Sequence, residues 1–227
     1  FIPYIYPPLY SWLLALGASV SELDYWVGRS FSILGTLLAG GAIVRALRWE
    51  KFSWGYSILG AGLFFSCYEN GGTFFDLTRA DALLIAAIAW ALVFVREGKV
   101  RIGGLVLVLA FLLKHNAAMF GVPCLWWLWK EKGNKEALEF VLFSTIPALM
   151  MTGYLQWSSD GYFLTYLLGV PSGHPIVGYR LVWLSFQELF SAFSGITILG
   201  LLWICQRLFQ EQKWFAMSAW TIALAIA

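Results

Sequence analysis

"GLVLVLAFLLKHNAAMFGVPCLWWLW", residues 104–129, is apolar throughout except at its centre, where Lys114, His115 and Asn116 stand side by side. Basic residues bracket the stretch: Arg96, Lys99 and Arg101 before it, Lys130, Lys132 and Lys135 after it. As a single helix it would put these two clusters on opposite faces of a membrane. Lys and Arg gather in cytoplasmic loops, so a hairpin with Lys114-His115-Asn116 at its tip is the reading that keeps both clusters inside. The arms hold 12 to 13 residues, about 18–20 Å of helix, so the tip lies below the outer headgroups. A cation at that depth must face protein or a water-filled cavity, because lipid exposure costs at least ~2.5–3.5 kcal/mol.

The same pattern extends outward. Apolar runs recur at 8–20, 28–44, 54–68, 82–95, 102–113, 117–129, 137–155, 189–206 and 214–227. Only 12% of the 227 residues are charged, about half the share in soluble domains, and the mean hydropathy is +0.72. The runs approach the roughly 20 residues of a membrane helix, and the weak alternation of a transmembrane barrel is missing. The predicted fold class is all-α, a polytopic transmembrane helical bundle. Residues 1–227 read as part of a single domain of a longer chain, with further helices expected on either side. Cys67, Cys124 and Cys205 lie singly in apolar runs, without CxxC spacing, and read as packing residues.

Eleven of the fifteen basic residues fall in four clusters, the three containing Arg45, Arg96 and Lys130 and a fourth with Arg207 and Lys213. If these loops are cytoplasmic, the polar breaks at 69–81, 114–116 and 156–188 all lie outside. Those breaks, with the stretch around Glu22 to Arg29, carry Arg29, Arg79, Lys114, Arg180, both histidines (His115 and His174) and seven of the thirteen acids, among them Asp76, Asp81 and Asp160. The polar groups suited to chemistry therefore gather at the extracytoplasmic face.

Three stretches sharpen that reading. Lys114 is either a helix-end lysine snorkelling to the interface or an anion site helped by a helix beginning near Ala117. In "ENGGTFFDLTRADALLIAAIAW" (69–90), Gly71-Gly72 ends one helix. Thr78 and Asp81 fit a capping box for the next, which puts Arg79 in the first helical turn against the macrodipole. An Arg there calls for an anion, either Asp76 or a ligand phosphate. In "QWSSDGYFLTYLLGVPSGHPIVGYR" (156–180), Tyr162, Phe163, Tyr166 and Leu167 predict a short interfacial helix, and His174 precedes Pro175 in a loop. At the N-terminal side, the Pro7-Pro8 step starts a helix.

Four stretches together resemble the GT-C membrane glycosyltransferases, among them the family 39-like bacterial relatives of protein O-mannosyltransferases and lipid A aminoarabinose transferases. They are "YPPLYSWLLAL" (6–16), "FDLTRADALLIA" (75–86), "AFLLKHNAAMFGVP" (110–123) and "DGYFLTYLLGVPSGHP" (160–175). The resemblance implies a multi-helix enzyme that moves a hexosyl or pentosyl unit from a polyprenyl-phosphate-linked donor, at the outer face of a plasma or bacterial inner membrane. The acceptor is a lipid, glycan or protein, and direct displacement would invert the anomeric centre. The family's catalytic carboxylate lies in the first outer loop, expected upstream of Phe1, so no catalytic base is assigned in this chain. Its donor-phosphate cations carry over to Lys114 and Arg79, with Asp76, Asp81, His115, His174 and Arg180 as substrate contacts. His115 stands where the family more often has glutamine or another neutral polar residue.

Fixed cations near the leaving phosphate would stabilise the charge it gains as the glycosidic bond breaks. The sequence holds no HExxH and no spaced carboxylate pair, so no cofactor is required from this segment and a divalent metal is unsupported. No nucleic-acid partner is expected. A secondary transporter would instead show an internal repeat and mid-depth polar groups. A membrane scaffold would leave the outer cations incidental.

Overall fold

The computed structural model describes residues 6–22, 24–70 and 72–173, with isolated positions beyond. All regular structure among them is helical: α1 (Leu9–Val20), α2 (Tyr25–Trp49), α3 (Trp54–Ser66), α4 (Asp81–Arg96), α5 (Val100–Leu113), a 3-10 helix (His115–Phe120), α6 (Gly121–Glu131), α7 (Asn134–Ser158), α8 (Tyr162–Leu164), a π-helical turn (Thr165–Gly169) and α9 (Val170–Ser172). Two of them, α2 and α7, are each long and apolar enough to cross a membrane.

Local chemistry sets many of the helix ends. Pro8 caps α1, its carbonyl accepting from the Trp12 N–H at 2.9 Å. The Asp24 carboxylate accepts from Tyr25 N at the start of α2, and Ser53 caps α3. Gly133, at φ +110°, makes the turn from α6 to α7. The expected helix end at Gly71-Gly72 falls elsewhere. α3 stops at Ser66, and Gly72, at φ +69°, belongs to a run of turns after it.

The bundle is ordered α3–α2–α4–α5–α7, with α6 against α7. α4 is its axis, and buried positions recur along it at Ala82, Leu84, Ala86, Ile88, Ala91, Leu92 and Val95. Beside it, α2 presents Gly28, Ser32, Thr36 and Gly40 at four-residue spacing, with Gly35, Ala39 and Ala42 alongside, all buried. Small residues let backbones approach closely, the usual device where lipid removes any hydrophobic drive between helices. A Cβ built on Gly35 would lie 2.6 Å from the Leu83 nitrogen, and one on Gly104 3.1 Å from the Ser144 nitrogen of α7.

Contacts along the helices fix their directions. Arg29 pairs with Asp76, Trp90 Nε1 donates to the Leu38 carbonyl at 2.9 Å, and Arg45 pairs with Glu97. These order α2 and α4 in parallel. Gly60 meets Leu47 while Gly40 meets Phe65, so α3 runs antiparallel to α2. Gly103 meets Val95, turning α5 back along α4, and Arg101–Glu139 at 2.9 Å sets α7 parallel to α5.

All three described basic clusters consequently meet at one end. There Arg45 and Lys99 share Glu97, Arg96 pairs with Glu50 at 2.9 Å, and the Arg96 guanidinium stands 5.5 Å from the Trp127 ring. The opposite end carries Arg29, Asp76, Arg79, Asp81 and Lys114. Helix α1 does not run between the two ends. Tyr6, before it, lies over Lys114, while Gly17, near its close, abuts Val27 at the start of α2, so α1 lies across the Lys114 end.

Large apolar side chains point outward in continuous stripes. On α7 these are Leu138, Leu142, Ile146, Leu149 and Tyr154; on α3, Trp54, Ile58, Leu59 and Leu63. Soluble monomers rarely expose contiguous patches of this extent.

The close α2–α4 approach makes glycine position decisive. Gly35→Ala puts a Cβ against α4 backbone that cannot rotate away, and is expected to destabilise the detergent-purified protein by about 1–3 kcal/mol. Gly62, on α3, has nothing within 4 Å of a built Cβ. Gly62→Ala should leave the melting temperature unchanged or raise it by helix propensity of up to about 1 kcal/mol. Equal effects at the two positions would contradict this packing.

Candidate functional site

The site is built on an irregular segment laid over the small face of α2. Residues 67–70 and 72–80 form turns and bends rather than helix, and hydroxyls of α2 receive carbonyls from the second stretch. Thr36 Oγ1 donates to Phe75 O at 2.6 Å, and Ser32 Oγ donates to Leu77 O and, at 3.1 Å, to Arg79 O. In return Thr78 Oγ1 donates to Tyr25 O at 3.2 Å. Irregular backbone away from water needs such partners, and these bonds set where Asp76, Arg79 and Asp81 stand.

Two carboxylates are held there. Asp76 accepts from Arg29 and from Tyr68 Oη at 2.8 Å, while the Arg29 guanidinium lies 4.8 Å from the Trp26 ring. The Tyr68 hydroxyl and, next, the Arg29 guanidinium hold the Asp76 carboxyl below the ordinary aspartate range. This group ties the loop to α2 and α3. The second carboxylate, Asp81, begins α4 and bridges two cations. Oδ1 accepts from Lys114 Nζ at 2.5 Å and Oδ2 from Arg79 Nε at 2.9 Å.

The two cations come from different elements. Lys114 is the extended residue that ends α5, its side chain 13% exposed and its Nζ 5.0 Å from the Tyr6 ring. Arg79 precedes α4, is 47% exposed, and packs over Phe74 at 4.7 Å. His115 follows Lys114, and its Nδ1 is buried with no hydrogen-bond partner. Two cations around one carboxylate leave a formal excess of one positive charge, a setting that receives an anion.

Of the residues singled out by sequence, Lys114, Arg79 and Asp81 converge, with His115 beside them. Asp76 forms the neighbouring group with Arg29. His174 and Arg180 lie outside the described residues.

Several local expectations are corrected. The Thr78–Asp81 capping box does not form. α4 begins at Asp81 with Ala80 as its cap and no side-chain cap bond, because the Thr78 hydroxyl is spent on α2. Arg79 is therefore outside the first helical turn, and its partner is Asp81 rather than Asp76. No α-helix starts near Ala117. A 3-10 helix occupies His115–Phe120, and the Ala117 N–H is already bonded to Lys114 O at 3.1 Å, so it offers an anion nothing.

The short helix expected around Tyr162 is present. Gln156 of α7 secures it, donating to Gly161 O and accepting from Leu164 N, both at 2.8 Å. Sequence reading missed Ser32, Thr36, Tyr68 and Gln156. Only the first two left a signal, the four-residue spacing of small residues in α2. Among the described residues no group of three or more His, Cys, Asp or Glu side chains is placed to hold a metal.

A family model, glycosyltransferase family 87, matches residues 4–227. The chain belongs to glycosyltransferase family 87. No curated protein and no solved structure matches it. Membership of family 87 bears out glycosyl transfer, with a donor and an acceptor substrate, and replaces the family 39-like resemblance as the specific assignment. Among the described residues of this family 87 chain, Arg79 and Lys114 form a cation pair around Asp81.

The Asp76 group titrates in a predictable sense. Its folded carboxyl ionises at lower pH than an unfolded one, so its contribution is complete above about pH 4 and is lost as pH falls through the folded value. Wild-type melting temperature should fall below about pH 4. Asp76→Asn should be less stable at pH 7 and show a shallower acid limb. An identical acid limb in the two proteins would remove Asp76 from this role.

Proposed function

We propose that this protein is a polytopic membrane glycosyltransferase that takes a sugar from a polyprenyl-phosphate-linked donor and passes it to an acceptor at the extracytoplasmic face. The observation that carries the reading is the convergence of Arg79 and Lys114 on Asp81, at the bundle end opposite the basic clusters. Two further features support it. The exposed apolar stripes of α3 and α7 suit lipid, and Lys and Arg crowd the other end as they do in cytoplasmic loops.

The donor phosphate binds between Arg79 and Lys114. As the glycosidic bond breaks, the phosphate oxygen keeps the electron pair, and the fixed cations stabilise that charge. Single preorganised donors of this kind are worth roughly 100-fold or more in rate. A general base takes the acceptor hydroxyl proton, and direct displacement inverts the anomeric carbon. Tyr6 and Phe74 hold the two cations by their ring faces. Asp76 and Arg29 keep the loop that carries Arg79 in place.

The test is transfer of labelled sugar from polyprenyl-phosphate donors by the full-length protein, with folding checked by thermal melting. Lys114→Ala and Arg79→Ala should each lower transfer about 100-fold. Folded variants with wild-type rates would make these cations helix-end residues and sink the assignment.

Sidedness is tested separately by single cysteines in a background lacking Cys67, Cys124 and Cys205. In intact cells an impermeant maleimide should label Glu69→Cys and spare Lys132→Cys. The reverse pattern would move the site to the cytoplasmic face.

A further inference from the structure

Among the described residues two carboxylates each bridge two cations, one at either end of α4. Glu97 accepts from Arg45 and from Lys99 at 2.7 Å, with its side chain 2% exposed. Asp81 accepts from Arg79 and Lys114, with its side chain 22% exposed. In the first cluster the carboxylate is enclosed although Arg45 and Lys99 are 48% and 49% exposed, and the three tie α2 to the α4–α5 turn. In the second the carboxylate itself is accessible beside Arg79, so it meets any anion that arrives at the same cations.

Resting on the donor reading above, we propose that Asp81 is a positioning residue that sets the charge of the phosphate site and drives release of the lipid-phosphate product. The chemistry of the transfer makes such a residue useful. The donor is a phosphodiester with one negative charge. The acceptor oxygen bonds to the sugar, the bond from sugar to phosphate oxygen breaks, and the hydroxyl proton passes to a general base. The lipid leaves as a phosphomonoester, whose charge near neutral pH is about −1.5 to −2.

Two bare cations would hold that product more tightly than the donor, and turnover would stall on it. Asp81 reduces the site's formal charge from +2 to +1, which matches the donor. Its oxygens already occupy Lys114 Nζ and Arg79 Nε, so they compete with the product and take the cations back as it leaves. The same bridge holds near one another two side chains that would otherwise repel.

The experiment compares wild type and Asp81→Asn in full-length protein, using inhibition by added polyprenyl phosphate and the time course of transfer. In Asp81→Asn, inhibition should strengthen about tenfold or more, the effect of strengthening one charge-assisted contact. The time course of transfer should bend to a slow steady state earlier than in wild type, as product accumulates. A merely structural Asp81 would lower the amount of active enzyme and leave the inhibition constant where it was; that result overturns the proposal.

If Asp81→Asn does not fold, wild type is tested alone, against polyprenyl phosphate and a polyprenyl methyl phosphodiester of the same chain length. The two should inhibit within about threefold of each other, and a monoester that inhibits about tenfold more strongly than the diester would overturn the proposal. Wild type that neither transfers from lipid phosphates nor is inhibited by polyprenyl phosphate overturns the donor reading, and this role with it. Wild-type transfer with unchanged inhibition in Asp81→Asn overturns this role alone.

Discussion

The hydroxyls of Ser32 and Thr36 carry the carbonyls of residues 75–79 across the face of α2, and the rest of the site depends on that contact. A stretch without helical hydrogen bonds cannot lie against a packed bundle unless its polar groups are met from outside. Here a helix made locally of glycine, serine, threonine and alanine is close enough to meet them. The same smallness lets α4 come down on Gly35. Close approach and polar satisfaction are therefore one feature, and a bulkier residue on this face disturbs both.

From that anchor the electrostatics follow in sequence. The loop emerges with Asp76 against Arg29 and Tyr68, which fixes its path. Two residues past its last anchored carbonyl, Asp81 opens α4, where the helix dipole favours an acid. α5 runs antiparallel to α4 and ends beside α4's beginning, so Lys114 reaches the same carboxylate. Glu97 does the equivalent work at the far end. Arg45 and then Lys99 supply its hydrogen bonds, and together they hold its carboxyl below the usual glutamate range despite burial. At both ends of α4 one carboxylate draws together two cations from different segments.

Much of this was legible in the order of residues. The alternation of basic clusters with polar breaks predicted which residues share an end, and the bundle gathers Arg45, Arg96 and Lys130 away from Lys114 as expected. Lys114 itself was conspicuous because charge in an apolar run has few neutral explanations. The misreadings have one cause. Thr78 has the sequence neighbours of a helix cap and Ala117 those of a helix start, and in both cases the hydrogen bonding differs from what those neighbours predict. Thr78 instead bonds Tyr25, 53 residues away, and a 3-10 turn absorbs the amides after Lys114.

Sequence by itself determined the all-helical class and which charges, the cations Arg79 and Lys114 among them, gather at one end of the bundle, because each is written in composition or in a period along one chain. Tertiary structure decided what those cations face. That Arg79 and Lys114 share Asp81, that Asp76 belongs to Arg29, and that α1 lies across the end of the bundle are distances between segments tens of residues apart. They are set by how closely α2, α4 and α5 pack, and one-dimensional order carries no measure of that closeness.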